Sequence, residues 1–201
     1  MEFHIDVWHD VLNNVLNAKL SRQEVRSHMY GRNQELLIRV FGNNRFTTEE
    51  ADAISYQKEV KYQALYKPHL DLLPGLFAFL KRARENKIKM AIGSAASLFN
   101  IDFALDNLII RHYFDFIVSG DDVKNSKPHP ETYLKGADLL RVEPSSCIVF
   151  EDAPKGVESA SNAGMKCVVI TSMHQENEFD EYDNILMFVK DYTDPRLTEL
   201  L

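Results

Sequence analysis

Four residues of this 201-residue chain have the types and the order that phosphoryl transfer needs: Ser94, Lys127 and the adjacent pair Glu151-Asp152. Ser94 follows the apolar run Ile88-Lys89-Met90-Ala91-Ile92-Gly93 and precedes Ala95-Ala96-Ser97, where a helix is expected to start. A hydroxyl beside backbone N–H groups at a helix start suits an anion, and equally suits a simple helix cap. Lys127 stands in Ser126-Lys127-Pro128-His129-Pro130. There two prolines stiffen the backbone, so the ammonium can neutralise phosphoryl charge without reorganising; the plain alternative is a surface lysine. Glu151-Asp152 closes the run Cys147-Ile148-Val149-Phe150, a strand expected to be buried on both faces. Two carboxylates at a strand mouth repel each other unless a cation sits there, and hard oxygen ligands with room for phosphate and water suit Mg²⁺. A solvated acidic turn is the alternative.

Residues just past the carboxyl ends of parallel strands are where ligands bind in an open α/β sheet, so the elements must deliver these four positions there. Residues 71–201 alternate helix and strand, with strands predicted at 88–93, 115–119, 147–150, 166–170 and 185–189 and crossover helices at 76–86, 97–109, 130–140 and 155–163. The fold class that follows is α/β, a Rossmann-like parallel sheet with helices on both faces. Residues 1 to about 66 read as helices only. Phe3, Val7, Val11 and Val15 recur near helical spacing, and Ser21-x-x-Glu24 and Thr47-x-x-Glu50 are capping boxes.

Composition limits the partners. A formal net charge of -7, with no Lys/Arg stripe, argues against a nucleic-acid or anionic-membrane footprint and leaves small anionic ligands open. No run reaches the roughly 18 apolar residues of a membrane span. The two cysteines, Cys147 and Cys167, sit in apolar runs and read as buried reduced thiols, which points to a cytoplasmic compartment.

Together, Ser94, Lys127 and Glu151-Asp152 resemble the haloacid dehalogenase superfamily, specifically its β-phosphoglucomutase-like phosphatase and mutase branch, and the resemblance runs along nearly the whole chain. It implies that Ser94, with Ala95 beside it, binds the phosphoryl group, that Lys127 orients the nucleophile and offsets charge, and that Glu151-Asp152 helps hold Mg²⁺. The opening Glu2-Phe3-His4-x-x-x-Trp8 is similar to the start of the family's helical cap, so residues 1–70 are expected to be that cap and 71–201 the core. By the same match His4 is a candidate proton shuttle and Trp8 a substrate-pocket wall; the plain readings are a surface histidine and a bundle-core tryptophan. Arg32 and Asn33, in Tyr30-Gly31-Arg32-Asn33-Gln34-Glu35, match the position of the substrate-specificity loop.

One part of the family pattern is missing. The Asp-x-Asp-Gly motif that supplies the nucleophile and the general acid/base has no counterpart, and Asp6 and Asp10 stand at i, i+4 on a predicted helix instead. The activity implied is Mg²⁺-dependent hydrolysis of a small phosphomonoester through an aspartyl-phosphate, by a protein that is a monomer when complete; the chain as written is expected to be inactive alone. A gene model started at an internal methionine explains this, as does a pseudo-enzyme that binds phosphorylated ligands without turnover; a sugar-phosphate mutase is the other activity in view. By resemblance the absent segment is also the central strand. Strands 88–93 and 147–150 are therefore expected to be parallel but unpaired, with a groove between them and a tendency to edge association.

Overall fold

Capping and apolar spacing set the helices of the first seventy residues. In the computed structural model, which describes residues 1–201, these are α1 (Glu2–Asp10), α2 (Arg22–Ser27), α3 (Asn33–Phe41) and α4 (Thr48–Tyr66), with a π-helical turn at Val11–Val15 after α1. Both predicted capping boxes form: the Ser21 and Thr47 side chains accept from the Glu24 and Glu50 N–H groups, and the two glutamates reach back. Each cap is worth about 1 kcal/mol. Ile5, Trp8, Leu12, Val25 and Leu37 are fully buried and make the bundle core. The chain divides at residue 70, into Met1–Leu70 and Asp71–Leu201.

The second unit adds α5 (Leu76–Glu85), β1 (Ala91–Gly93), α6 (Leu98–Asn107), β2 (Phe116–Val118), α7 (Glu131–Leu140), β3 (Ile148–Glu151), α8 (Pro154–Asn162), β4 (Lys166–Ile170) and β5 (Ile185–Val189). All strand pairs are parallel, in two separate sheets ordered β1-β2 and β3-β4-β5. As expected, β1 and β3 do not pair with each other. Helices join the two sheets. From α5, Leu80 and Leu76 pack with Met90, Ile92 and Ile117, while Phe79 packs against Phe150 and Tyr192 with ring centroids 5.2 Å apart in each case. From α7, Ala137 packs in the cluster of Val149 and Val169, and Thr132 and Tyr133 lie against the end of β1.

Three expectations are corrected. β1 is shorter than 88–93, because the Ile88 N–H closes α5 on the Ala83 carbonyl and the Met90 N–H is held by the Asp115 carboxylate, which leaves neither for a strand ladder. β3 is not buried on both faces: Ile148 is exposed and only Val149 is buried, since β3 is an edge strand and β4 holds the middle of its sheet. Cys167 is buried but Cys147 only half-buried, because Cys147 precedes that edge strand; both are free thiols. No helix is long and apolar enough to cross a membrane.

Candidate active site

Glu151 is the last residue of β3, and its side chain folds back over the first turn of α8. Gly156 permits this, because a Cβ there would lie 2.0 Å from the Glu151 carboxyl carbon. Both carboxylate oxygens are engaged. Oε1 accepts from Lys127 Nζ at 2.5 Å and from the Tyr133 hydroxyl at 2.6 Å, while Oε2 accepts from the Asp152 and Ala153 N–H groups at 2.9 and 3.3 Å. Burial alone would raise the Glu151 pKa. The Lys127 ammonium, its hydrogen bond and the Tyr133 hydroxyl outweigh that and hold the carboxyl below its ordinary range.

Lys127 binds across the mouths of the two sheets. Its Nζ donates to the Gly93 carbonyl at the end of β1 (3.3 Å), to the Tyr133 hydroxyl (2.7 Å) and to Glu151 at the end of β3. It also lies 4.4 Å from the Tyr133 ring centroid, a cation–π contact. The ring packs closely on position 93: a Cβ there would stand 3.2 Å from Tyr133 Cδ1 and Cε1, so a larger residue would press on the ring by a few tenths of an ångström. Burial first, then the Glu151 charge, raises the Tyr133 pKa well above its ordinary value, so the phenol stays a neutral donor.

Ser94 continues directly from Gly93. Its N–H extends the ladder to the Val118 carbonyl (2.9 Å), and its Oγ accepts from the Ala96 N–H (3.1 Å). Helix α6 starts later, at Leu98, whose N–H is taken by the Asp121 carboxylate at 2.8 Å. Ser94 is therefore not the cap of that helix, and the Ala95 N–H beside it has no protein acceptor. Asp152, next after Glu151, is exposed and paired with no lysine or arginine. Desolvation and then the neighbouring Glu151 charge push its carboxyl upward.

The donor set bears on Mg²⁺. Asp152 offers a hard, unpaired carboxylate; Glu151 stands directly behind it with its own oxygens committed to Lys127, Tyr133 and the turn. One offered carboxylate fits an ion that keeps most of its six-oxygen shell as water or substrate oxygens.

In the first unit the structure gathers His4, Trp8 and Asn33 around a residue that sequence reasoning missed, Lys58. Lys58 is 1% exposed; its Nζ lies 2.6 Å from His4 Nδ1, 2.9 Å from Glu59 Oε1 and 5.6 Å from the Trp8 ring. Asn33 donates to the same Glu59 oxygen at 2.7 Å, and His4 stacks on Tyr62 with centroids 3.6 Å apart. Burial and then the Lys58 charge lower His4 to about 3, so the imidazole is neutral at pH 7. With Lys58 donating to Nδ1, the network assigns the ring proton to Nε2. Trp8 is at once part of the bundle core and a wall of this polar cluster. Arg32 donates through Nε to Glu35 at 3.1 Å. Asp6 and Asp10 lie on α1, held by Arg22 and by Asn14 and Lys61, and neither is at a strand end. The sequence signal for Lys58 was slight: Lys58-Glu59 on a long polar helix looks like a solvated face.

Hydroxyl, lysine and acidic pair gathered at the carboxyl ends of parallel strands accompany a Rossmann-like α/β fold, in which the mouths of β1 and β3 are the candidate ligand site. A sequence profile of haloacid dehalogenase-like hydrolases matches residues 1–170. The chain belongs to this family, in its β-phosphoglucomutase-like phosphatase branch. It is 45% identical over 114 residues to an uncharacterized protein of Haemophilus influenzae, covering 57% of this chain and 56% of that protein. To the fructose-1-phosphate phosphatase of Escherichia coli it is 43% identical over 79 residues, covering 39% of this chain and 42% of that protein. The chain thus spans about half the length of the curated relatives it matches. The crystal structure of β-phosphoglucomutase from Clostridium difficile superposes with a TM-score of 0.82 at 27% identity, covering 99% of this chain and 88% of that one.

Proposed function

We propose that this chain carries the phosphate-binding and charge-neutralising parts of a phosphatase site for small phosphomonoesters, with residues 1–70 as its cap. The observation that supports this best is the Lys127 ammonium, fixed by Glu151 and Tyr133 and reaching the Gly93 carbonyl at the end of β1, from which Ser94 and Ala95 continue. In this reading Ser94 Oγ and Ala95 N–H donate to phosphoryl oxygens, and Lys127 offsets their charge from a position that needs no reorganisation. Asp152, backed by Glu151, would hold Mg²⁺, which when bound supplies further neutralisation of phosphoryl charge. On the first unit, family resemblance proposes His4 as a proton shuttle and Trp8, Arg32 and Asn33 as substrate-binding residues. A histidine lowered to about 3 is neutral at pH 7 and carries no acidic imidazolium proton, so His4 as it stands serves hydrogen bonding better than proton transfer.

The aspartyl-phosphate route requires a carboxylate nucleophile at a strand mouth. Residues 1–201 offer none free for that part, since Asp152 is assigned to the metal. The chain alone is therefore proposed to bind phosphate without turnover. Calorimetric titration with inorganic phosphate tests the reading: binding is expected for the wild-type chain and lost in Lys127→Ala. Equal phosphate affinity in the two proteins would refute it.

A further inference from the structure

We propose that Tyr133 is a positioning residue of this site, its hydroxyl setting the direction in which the Lys127 ammonium faces a phosphoryl group; this rests on the phosphate-binding reading above. An ammonium has three hydrogens, and Lys127 has three acceptors within reach. Two contacts are short, Glu151 Oε1 at 2.5 Å and the Tyr133 hydroxyl at 2.7 Å, and the third, to the Gly93 carbonyl, is longer at 3.3 Å. The weakly engaged hydrogen is thus the one aimed at the Gly93 carbonyl, at the end of β1 from which Ser94 and Ala95 continue in the chain. A phosphoryl oxygen arriving there can take that hydrogen in exchange for the long Gly93 contact, leaving the other two in place.

The Tyr133 hydroxyl suits this task because it works in both directions. It donates its only hydrogen to Glu151 (2.6 Å) and accepts from Lys127, so one group aligns the ammonium and the carboxylate together. A phenol is neutral at pH 7, so it adds no negative charge to compete with phosphate. Its ring also packs directly against Gly93 at the strand end, an anchor separate from the hydroxyl. Without the hydroxyl, the ring contact and the ion pair persist. The ammonium then loses the second of its two short anchors and is free to turn about its bond to Cε.

The test uses the 201-residue chain and the variant Tyr133→Phe, which keeps the ring. Two quantities are measured: the ¹⁵N–¹H signal of the Lys127 ammonium, and the affinity for inorganic phosphate. A role limited to packing would leave both unchanged. The expected result is a Lys127 ammonium signal broadened or lost by faster exchange, with phosphate affinity weakened about fivefold to tenfold, the scale of one net hydrogen bond. Amide exchange across α7 should stay as in wild type. Gly93→Ala, which presses on the ring from β1, is expected to displace the hydroxyl and weaken the ammonium signal in the same way. An ammonium signal and phosphate affinity unchanged in Tyr133→Phe would overturn the proposal, while loss of phosphate binding in Lys127→Ala would leave the site reading standing. If even wild type binds no phosphate, that reading fails, and the ammonium signal alone decides whether Tyr133 orients Lys127.

Discussion

Replacing Lys127 by methionine is expected to make the second unit less stable at neutral pH and to reverse part of its response to acid. Lys127 and Glu151 are 13% and 10% exposed and 2.5 Å apart, so the substitution strands a carboxylate in a largely dry place. Breaking a buried pair by removing one partner costs on the order of 3–5 kcal/mol. Three donors to Glu151 remain, Tyr133 and the Asp152 and Ala153 N–H groups, so the lower end, about 3 kcal/mol, applies. With a urea m-value of about 2 kcal/mol per molar, the midpoint falls by roughly 1.5 M. In wild type the folded Glu151 pKa is depressed, so its stabilisation is present above the unfolded value of 4.5 and lost as pH falls through the lower folded value. In Lys127→Met burial is no longer opposed by the ammonium, and the folded pKa rises above 4.5. Protonation between pH 7 and 4 then relieves the variant while wild type gains nothing from it. Urea unfolding at both pH values, followed by far-UV circular dichroism and by hydrogen exchange at Val149 and Phe150, measures the gap. The single tryptophan, Trp8, lies in the other unit and is not the reporter to use. A gap of about 3 kcal/mol at pH 7 that narrows at pH 4 is expected; no loss at pH 7, or an equal loss at both pH values, would refute the reasoning.

Two further outcomes follow from other parts of the chain. Ile109 is 75% exposed with φ of +56°, a left-handed backbone that costs a β-branched residue roughly 1–2 kcal/mol. Ile109→Gly should raise stability by about 1 kcal/mol in urea unfolding, the unfolded-state entropy of glycine offsetting part of the gain; a loss of stability would contradict it. His4 is depressed to about 3 against 6.5 in the unfolded chain, so its contribution is present above pH 6.5 and lost as pH falls towards 3. Acid unfolding of the first unit, followed by Trp8 fluorescence, should be shallower in His4→Gln across that window, and identical profiles would count against a buried neutral imidazole.

Strand mouths and caps could be read from residue types because their causes are local. Apolar runs ending at Gly93 and Phe150 located Ser94, Glu151 and Asp152, and Ser21-x-x-Glu24 and Thr47-x-x-Glu50 form as capping boxes where they occur. What escaped reading depends on partners distant in sequence. Lys58 is buried because His4, 54 residues away, and Glu59 take its hydrogens, and no periodicity marks that. Tyr133 joins the site through its hydrogen bonds to Lys127 and Glu151 and its packing on Gly93, which concern three elements at once. The half exposure of β3 follows from strand order, which the apolar run Cys147-Ile148-Val149-Phe150 does not encode.

The central claim is that the ends of β1 and β3 form a phosphoryl-binding site, and the Ala95 amide tests it most directly. Inorganic phosphate titrated into ¹⁵N-labelled chain should move the Ala95 N–H signal saturably and downfield, as a new hydrogen bond to an anion does, and the response should vanish in Lys127→Ala. An Ala95 signal that stays still while phosphate perturbs resonances elsewhere would contradict the account.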